Sequence, residues 1–177
     1  MGEVTGIAQW LGDELTPPGP LRASHDVKAF CCGKSALDDW LRNRALKAEG
    51  KTARTYVVCK ENTVVGYYAL VTGAVERNQL PKKIIRNSPN HIAILVLARL
   101  AVDSRAKRAH IGSGLLKDAL GRVVQASSIV GVRALLVHAK DEEAMAFYTR
   151  YGFAEFPIGT QTLFLPIETI VAGFLNS

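Results

Sequence analysis

A basic stretch followed by a pair of glycines is the part of this sequence best suited to binding phosphate. Lys107 and Arg108 precede the run Ile111-Gly-Ser-Gly-Leu-Leu116. Backbone N–H groups at a helix start bind phosphate oxygens with help from the helix dipole, and Gly112 and Gly114 leave room for a ligand to approach. A plain glycine-containing turn between a strand and a helix fits the same residues. The spacing is neither G-x-x-x-x-G-K-[ST] nor G-x-G-x-x-G, so nucleotide hydrolysis and dinucleotide binding are not favoured.

Two predicted elements flank this turn and hold it in place. The stretch from Ile92 to Val102 is nearly all apolar apart from Arg99, which is typical of a buried central strand, and it ends at Asp103. From Gly112 to about Ala126 the apolar residues recur at helical spacing, which predicts an amphipathic helix. The turn therefore joins a buried strand to a helix.

The rest of the chain predicts strands and helices that complete one mixed sheet. A helical segment is expected from about Asp26, where Ser35 offers a capping hydroxyl group. A short helix is expected over residues 142–151, with Asp141 at its N-cap and Gly152 after its last turn. Strands are predicted over residues 55–59, 64–71, 132–137, 153–156 and 162–165.

The composition narrows the class of protein. The 177 residues argue for one domain, and 48% apolar with 21% charged residues excludes a disordered or collagen-like chain. No apolar run reaches the roughly 18 residues that span a bilayer, and Met1 is followed by Gly2-Glu3-Val4, so we expect a cytoplasmic protein that binds no membrane. Scattered histidines and three cysteines favour neither a metal site nor a disulfide framework. The net charge of +6 favours a polyanionic partner.

A second segment of the chain resembles a known enzyme signature. The run Glu142-Glu-Ala-Met-Ala-Phe-Tyr-Thr-Arg-Tyr-Gly-Phe153, after Val137-His-Ala139, is similar to the A-x-x-F-Y-x-x-x-G-F signature of the GNAT acetyltransferase superfamily. The resemblance implies an α/β (α+β) fold with a central mixed, largely antiparallel sheet, flanking helices and a splayed pair of central strands. It implies acetyl-CoA as the co-substrate, with pantetheine between those strands and the pyrophosphate on the glycine turn. The coenzyme-binding residues that it implies are Leu100, Ala101, Val102, Lys107, Arg108, Ala109, His110, Ile111, Gly112, Ser113 and Gly114.

The glycine turn departs from the family pattern at one position. The family usually reads Q/R-x-x-G-x-G/A, and alignment on Gly112 places Lys107 first and His110 where the first glycine stands. Histidine at that position keeps the backbone donors unless the position needs a positive φ.

The resemblance narrows to the acetyltransferase toxins of bacterial type II toxin–antitoxin systems, whose substrates are aminoacyl-tRNAs. It runs from about Pro18 to Glu168, which leaves residues 1–17 as a loosely ordered leader before a domain over residues 18–177. The matching pieces are Leu37-Asp-Asp-Trp-Leu-Arg42, Arg44-Ala-Leu-Lys47, Arg54-Thr-Tyr-Val-Val-Cys59, Val65-Gly-Tyr-Tyr-Ala-Leu70, Gly73-Ala-Val75, Leu97-Ala-Arg-Leu-Ala101, Gly131-Val-Arg-Ala-Leu-Leu-Val-His-Ala139 and Phe147-Tyr148.

The toxin resemblance implies that Tyr148 is the catalytic acid. A phenol with a pKa near 10 is neutral at cellular pH and can protonate the thiolate that leaves when an amine attacks the thioester. An aromatic residue in the core is the structural alternative for Tyr148, and Tyr151 is the alternative acid. The family also implies an oxyanion contact from a backbone N–H between Leu100 and Val102.

Basic residues outside the turn suggest how a tRNA would be held. They concentrate between residues 42 and 54 and in a polar loop expected over residues 77–90. The tRNA-binding residues implied by the resemblance are Arg42, Arg44, Lys47, Arg54, Arg77, Lys82, Lys83 and Arg86. A solvated surface is the alternative for each of them.

The resulting expectation is an N-acetyltransferase that acetylates the α-amine of aminoacyl-tRNA and blocks translation. The expected partners are a ribbon-helix-helix antitoxin and a second copy of the chain in a homodimer. One alternative keeps the fold with a protein or polyamine acceptor. Another is a coenzyme-binding partner of a DNA-binding antitoxin with little turnover, which the histidine at position 110 suggests.

Overall fold

The computed structural model describes residues 15–157 and 161–176, with residues 107–109 described by their backbone alone. The strands are β1 (Gly19–Pro20), β2 (Arg54–Lys60), β3 (Thr63–Glu76), β4 (His91–Val102), β5 (Ala134–His138), β6 (Ala154–Glu155) and β7 (Thr162–Pro166). The helices are α1 (Ser35–Asn43), α2 (Ala45–Ala48), α3 (Lys82–Ile85), α4 (Ile111–Ser127), α5 (Glu142–Arg150) and α6 (Ile167–Leu175), with 3₁₀ turns at Arg77–Gln79 and Ser104–Ala109.

Over the described residues the strands form a seven-stranded sheet in the order β1-β2-β3-β4-β5-β7-β6. The pairing of β4 with β5 is parallel, whereas β1 with β2, β2 with β3, β5 with β7 and β6 with β7 are antiparallel. The predicted mixed sheet with flanking helices is confirmed. No helix within residues 15–157 and 161–176 is both long and apolar enough to cross a membrane.

The chain joins the sheet three residues before the predicted domain boundary. Leu15 forms a bridge with Lys60, and the Thr16 N–H donates to the Cys59 carbonyl at 2.9 Å. The Thr16 hydroxyl accepts the Cys59 N–H at 3.0 Å. Residues 1–14 of the predicted leader lie outside the described residues.

The chain forms two compact units, of which the first contains residues up to 70 together with 99–119. In this unit α4 packs closely on β3. A Cβ at Gly66 would lie 2.8 Å from Ile111 Cγ2 and 3.1 Å from Leu115 Cδ1, so a larger residue there would push the helix away. The Tyr68 hydroxyl also bonds to the Asp118 carboxylate at 2.5 Å. The first turn of α4 is thereby fixed against the strand.

The second unit contains residues 71–98 and the chain from residue 120 onward. A buried apolar cluster joins its strands to α3 and consists of Leu80, Ile84, Ile92, Ile94, Ala134, Leu136, Phe156 and Phe164. The C-terminal helix α6, which the sequence did not predict, is held to the end of β5 by an ion pair between Arg133 and Glu168 at 2.9 Å.

The helix predicted from about Asp26 begins at Ser35 instead, so the prediction was wrong over residues 26–34. The backbone of Asp26 is used by the sheet, because its N–H donates to the Asn62 carbonyl and its carbonyl accepts the Val64 N–H, both at 2.9 Å. Gly33 then adopts a φ of 92°, which a helix cannot continue through.

The predicted serine cap of that helix is also absent. Lys34 is the N-cap residue and has no capping side-chain bond. Asp38, which is buried, instead accepts the Cys32 N–H at 2.8 Å.

The basic segment over residues 77–90, which was expected to be a loop, contains the 3₁₀ turn and α3. These elements form because Leu80 and Ile84 pack into the buried apolar cluster of the second unit.

Candidate active site

The glycine turn begins at a buried carboxylate, that of Asp103. Its Oδ1 accepts the Arg105 backbone N–H at 3.0 Å and Arg105 Nε at 2.8 Å, and its Oδ2 accepts the Cys31 N–H at 3.2 Å. The side-chain hydrogen bond from Arg105 is the main cause that lowers the pKa of Asp103 to about 2. Arg105 is therefore committed to the turn itself.

The backbone reaches the helix through His110, which adopts φ 55° and ψ 25°. This is the left-handed region, which favours glycine, although histidine enters it more often than most residues. The position where the family carries its first glycine thus needs a positive φ. His110 thus adopts a conformation that glycine enters readily.

The N-terminal turn of α4 presents backbone donors. The first bond inside the helix runs from the Gly114 N–H to the His110 carbonyl at 3.2 Å, and the Ser113 hydroxyl donates to the same carbonyl at 2.8 Å. The N–H groups of Ile111, Gly112 and Ser113 precede that bond and have no acceptor within the helix. A 17-residue helix with three such donors at its N-terminus fits a pyrophosphate. The side chains of Lys107, Arg108 and Ala109 lie outside the described residues.

The strand that leads to this turn extends beyond its parallel partner. Leu95, Val96 and Leu97 pair with residues 135–137 of β5, and β4 then continues to Val102. Its end is fixed within the first unit because the Asp103 N–H donates to the Val65 carbonyl at 2.9 Å. Leu100 to Val102, the predicted oxyanion stretch, therefore lies after the last residue of β4 that pairs with β5.

Tyr148 lies in the second unit, on α5. Asp141 is the N-cap, as predicted, and its Oδ1 accepts the Ala144 N–H at 2.8 Å. Tyr148 is only 6% exposed and packs edge-on against Phe147 and Phe153, with ring centroids 5.1 Å and 5.4 Å away. Burial raises the pKa of Tyr148 well above its ordinary value. The phenol is thus held as a neutral O–H group.

The alternative acid, Tyr151, has a different environment. It is 37% exposed and lies beyond the last residue of α5. Gly152 follows with a φ of 92°, which ends the helix as predicted. The burial that fixes a phenol in one position is therefore found at Tyr148 and not at Tyr151.

The basic residues assigned to tRNA fall in both units, and all of them are exposed. Some already have partners, because Arg54 pairs with Glu49 at 3.5 Å and Arg77 Nη1 donates to the Ser88 carbonyl at 3.0 Å. The set in the first unit is Arg42, Arg44, Lys47 and Arg54, and the set in the second is Arg77, Lys82, Lys83 and Arg86.

One charged side chain near the predicted site was given no role from the sequence. Arg99 in β4 places its Cζ 4.2 Å from the centroid of the Trp40 ring. The signal that could have identified it is its position, since it is the one polar residue between Ile92 and Val102.

Comparison with known proteins defines the class of this enzyme. The family model for the acetyltransferase (GNAT) domain matches residues 51–155. The fold, the glycine turn and the buried tyrosine occur in a chain that belongs to the GNAT acetyltransferase family.

Individual relatives have more specific descriptions than the family as a whole. A tRNA-acetylating toxin of Mycobacterium tuberculosis is 42% identical over 137 residues, which cover 77% of this chain and 82% of the relative. The structure of AtaT complexed with acetyl-methionyl-tRNAfMet has a TM-score of 0.82 and 32% identity, and the match covers 90% of this chain and 99% of that one. A tyrosine-to-phenylalanine mutant of AtaT bound to acetyl-CoA and the C-terminus of the antitoxin AtaR gives a TM-score of 0.78 and 29% identity over 92% of this chain and 99% of that one.

Proposed function

We propose that this chain transfers acetyl from acetyl-CoA to the α-amine of aminoacyl-tRNA and thereby blocks translation as the toxin of a toxin–antitoxin pair. The observation that carries the proposal is a structural similarity, over 90% of this chain, to AtaT in complex with acetyl-methionyl-tRNAfMet. That ligand is a charged tRNA acetylated on its amino acid. The relative described as a tRNA-acetylating toxin supports the same acceptor.

Tyr148 is assigned to proton donation. The acceptor amine attacks the thioester carbonyl carbon, the C–S bond breaks, and the Tyr148 hydroxyl protonates the departing sulfur. The amine nitrogen releases a proton to water, and a proton from water restores the phenol. An α-amine with a pKa of roughly 7.7 to 8.0 is partly neutral at cellular pH, so no strong general base is needed. The buried environment of Tyr148 supports this role because it keeps the phenol protonated.

The coenzyme is assigned to the first unit. The N–H groups of Ile111, Gly112 and Ser113 hold the pyrophosphate, with charge from Lys107 and Arg108. A backbone N–H from Leu100 to Val102 stabilises the developing charge on the thioester oxygen. The left-handed conformation of His110 supports the assignment, since glycine, the family's residue at this position, adopts that conformation readily.

The tRNA is assigned to the exposed basic residues, and Lys82 and Lys83 on α3 are the clearest of them. Glu76, the nearest acidic residue along the chain, pairs with His91 at 3.2 Å. Among the described residues no carboxylate forms an ion pair with either lysine. Two uncompensated positive charges on one short helix suit a phosphate backbone.

We further propose that the protein acts in the cytoplasm as a homodimer that a ribbon-helix-helix antitoxin neutralises. The AtaT structure with the antitoxin AtaR supports an antitoxin as the partner. A neighbouring short reading frame that encodes such an antitoxin is the simplest check of this pairing.

Acetylation of purified charged tRNA across a salt series tests the proposed acceptor. Each phosphate contact adds about one to the slope of log K against log salt, so Lys82→Glu with Lys83→Glu should weaken tRNA binding and flatten that slope. Acetyl-CoA affinity should stay unchanged. The control is reversal of Lys28 and Lys60, two exposed lysines outside the ranges assigned to tRNA. Failure of the wild type to acetylate any charged tRNA would contradict the proposal.

A further inference from the structure

Arg99 rests on a rigid aromatic platform in the first unit. Its guanidinium lies over the ring of Trp40, and Trp40 stacks on Tyr67 with centroids 5.9 Å apart and an angle of 13° between the planes. Tyr67 is fully buried, and its hydroxyl donates to the Leu37 carbonyl at 2.7 Å. The guanidinium is thus confined by packed rings, unlike a charge at the end of a solvated side chain.

Among the described residues, Arg99 carries a charge that no carboxylate neutralises. Burial is the main cause that lowers the pKa of Arg99, and the positive charge of Arg44 lowers it further. Within the part of the chain that the structure describes, neither arginine forms an ion pair with a carboxylate. Two cations that repel each other, one of them partly desolvated, favour an anionic ligand because the ligand offsets that repulsion.

The position of Arg99 along β4 indicates where that anion lies in the reaction. Arg99 directly precedes Leu100 to Val102, the stretch assigned above to the thioester oxygen. At about 3.3 Å per residue, the backbone of Arg99 is within about 10 Å of that stretch. An acceptor whose amine reaches the thioester therefore comes within about 10 Å of the backbone of this arginine.

We propose that Arg99, supported by Trp40 and assisted by Arg44, binds a phosphodiester of the terminal nucleotides of the acceptor. The inference rests on the proposed function and adds a positioning site to it. The planar guanidinium matches two phosphate oxygens with two parallel N–H···O bonds, which a lysine cannot do. Charged tRNA brings such phosphates beside its reactive amine, whereas a polyamine brings none.

Kinetics with two acceptors test the inference. One acceptor is charged tRNA, and the other is an aminoacyl-adenosine that carries the same amino acid and no phosphate. Arg99→Gln should raise the KM for charged tRNA about ten-fold or more, since a bond to a charged group is lost, and should leave the kinetics with aminoacyl-adenosine unchanged. Arg99→Lys should show most of the same rise in the KM for charged tRNA, because lysine cannot form the two parallel bonds. Arg44→Gln should raise that KM by a smaller factor. Lys28→Gln removes one exposed charge outside the assigned ranges and should leave the KM for both acceptors unchanged.

The outcomes separate this inference from the proposed function. A wild type that acetylates no charged tRNA overturns both. A wild type active on charged tRNA together with an unchanged KM in Arg99→Gln overturns the inference alone. Equal losses with both acceptors also overturn it, because they indicate a structural role. Thermal melting and acetyl-CoA affinity of each variant identify misfolding, and Arg99→Lys, which keeps a positive charge beside Trp40, keeps the test decisive if Arg99→Gln does not fold.

Discussion

Arg105 donates from both Nε and Nη2 to the carboxylate of Asp103, at 2.8 Å each. The same carboxylate accepts the N–H of Cys31, which is 72 residues away along the chain. One buried aspartate therefore joins the end of β4, the glycine turn and the segment before α1. The position of the proposed coenzyme site depends on it.

Replacement of Asp103 should produce a pH-dependent loss of stability. Because its pKa is about 2 in the folded protein and about 3.9 when unfolded, the carboxylate contributes stability that is complete above about pH 4 and is lost as the pH falls toward 2. We expect Asp103→Asn to lower the free energy of unfolding by about 2 kcal/mol at pH 7. Urea denaturation at several pH values measures this, with the exposed Asp39→Asn as the control. A deficit that stays constant down to pH 2 would show that the charge is not its cause.

Substitutions at His110 test the left-handed conformation of the turn. His110→Gly should raise the free energy of unfolding by up to about 1 kcal/mol, and His110→Val should lower it by about 1 to 2 kcal/mol, since a β-branched residue resists positive φ. Acetyl-CoA affinity should be kept in the glycine variant, because the backbone keeps its direction. Chemical denaturation and calorimetry measure both quantities. A glycine variant less stable than the wild type would mean that the imidazole makes a stabilising contact.

Gly112→Val tests the proposed pyrophosphate site. A branched side chain at the second residue of α4 crowds the approach to the backbone donors, and loss of one charge-assisted hydrogen bond corresponds to roughly a ten-fold or larger rise in the Kd for acetyl-CoA. Gly131→Val is a suitable control, since a Cβ there would meet nothing within 4 Å. If calorimetry shows that Gly112→Val binds acetyl-CoA with wild-type affinity, the pyrophosphate does not bind at this turn.

Local sequence patterns predicted much of the fold. The hairpin of β2 and β3, the long helix α4 and the capped helix α5 follow from apolar periodicity and from turn and cap residues that act over a few positions. Asp141 and Gly152 bound α5 as expected because cap chemistry is local. For the same reason, the residues around Tyr148 could be placed on a helix from the local sequence alone.

Contacts between distant residues account for what the sequence did not predict. The late start of α1 follows from the pairing of Asp26 with Thr63, and the short helix α3 is stabilised by a cluster that includes Phe164. Nothing in the sequence near Asp103 indicates its bond to Cys31, and nothing near Arg99 indicates the ring of Trp40. The left-handed backbone conformation of His110 could not be predicted either, because a histidine does not by itself indicate a positive φ.

The most direct test of the proposed mechanism is single-turnover transfer from acetyl-CoA to charged tRNA by the wild type and by Tyr148→Phe. The substitution removes one hydroxyl and keeps the ring that packs on Phe147 and Phe153, so melting temperature and acetyl-CoA affinity should not change. We expect the rate of transfer to fall about 100-fold or more, the range of general-acid effects, while Tyr151→Phe stays near the wild-type rate. An unchanged rate in Tyr148→Phe would contradict the assignment of the catalytic acid.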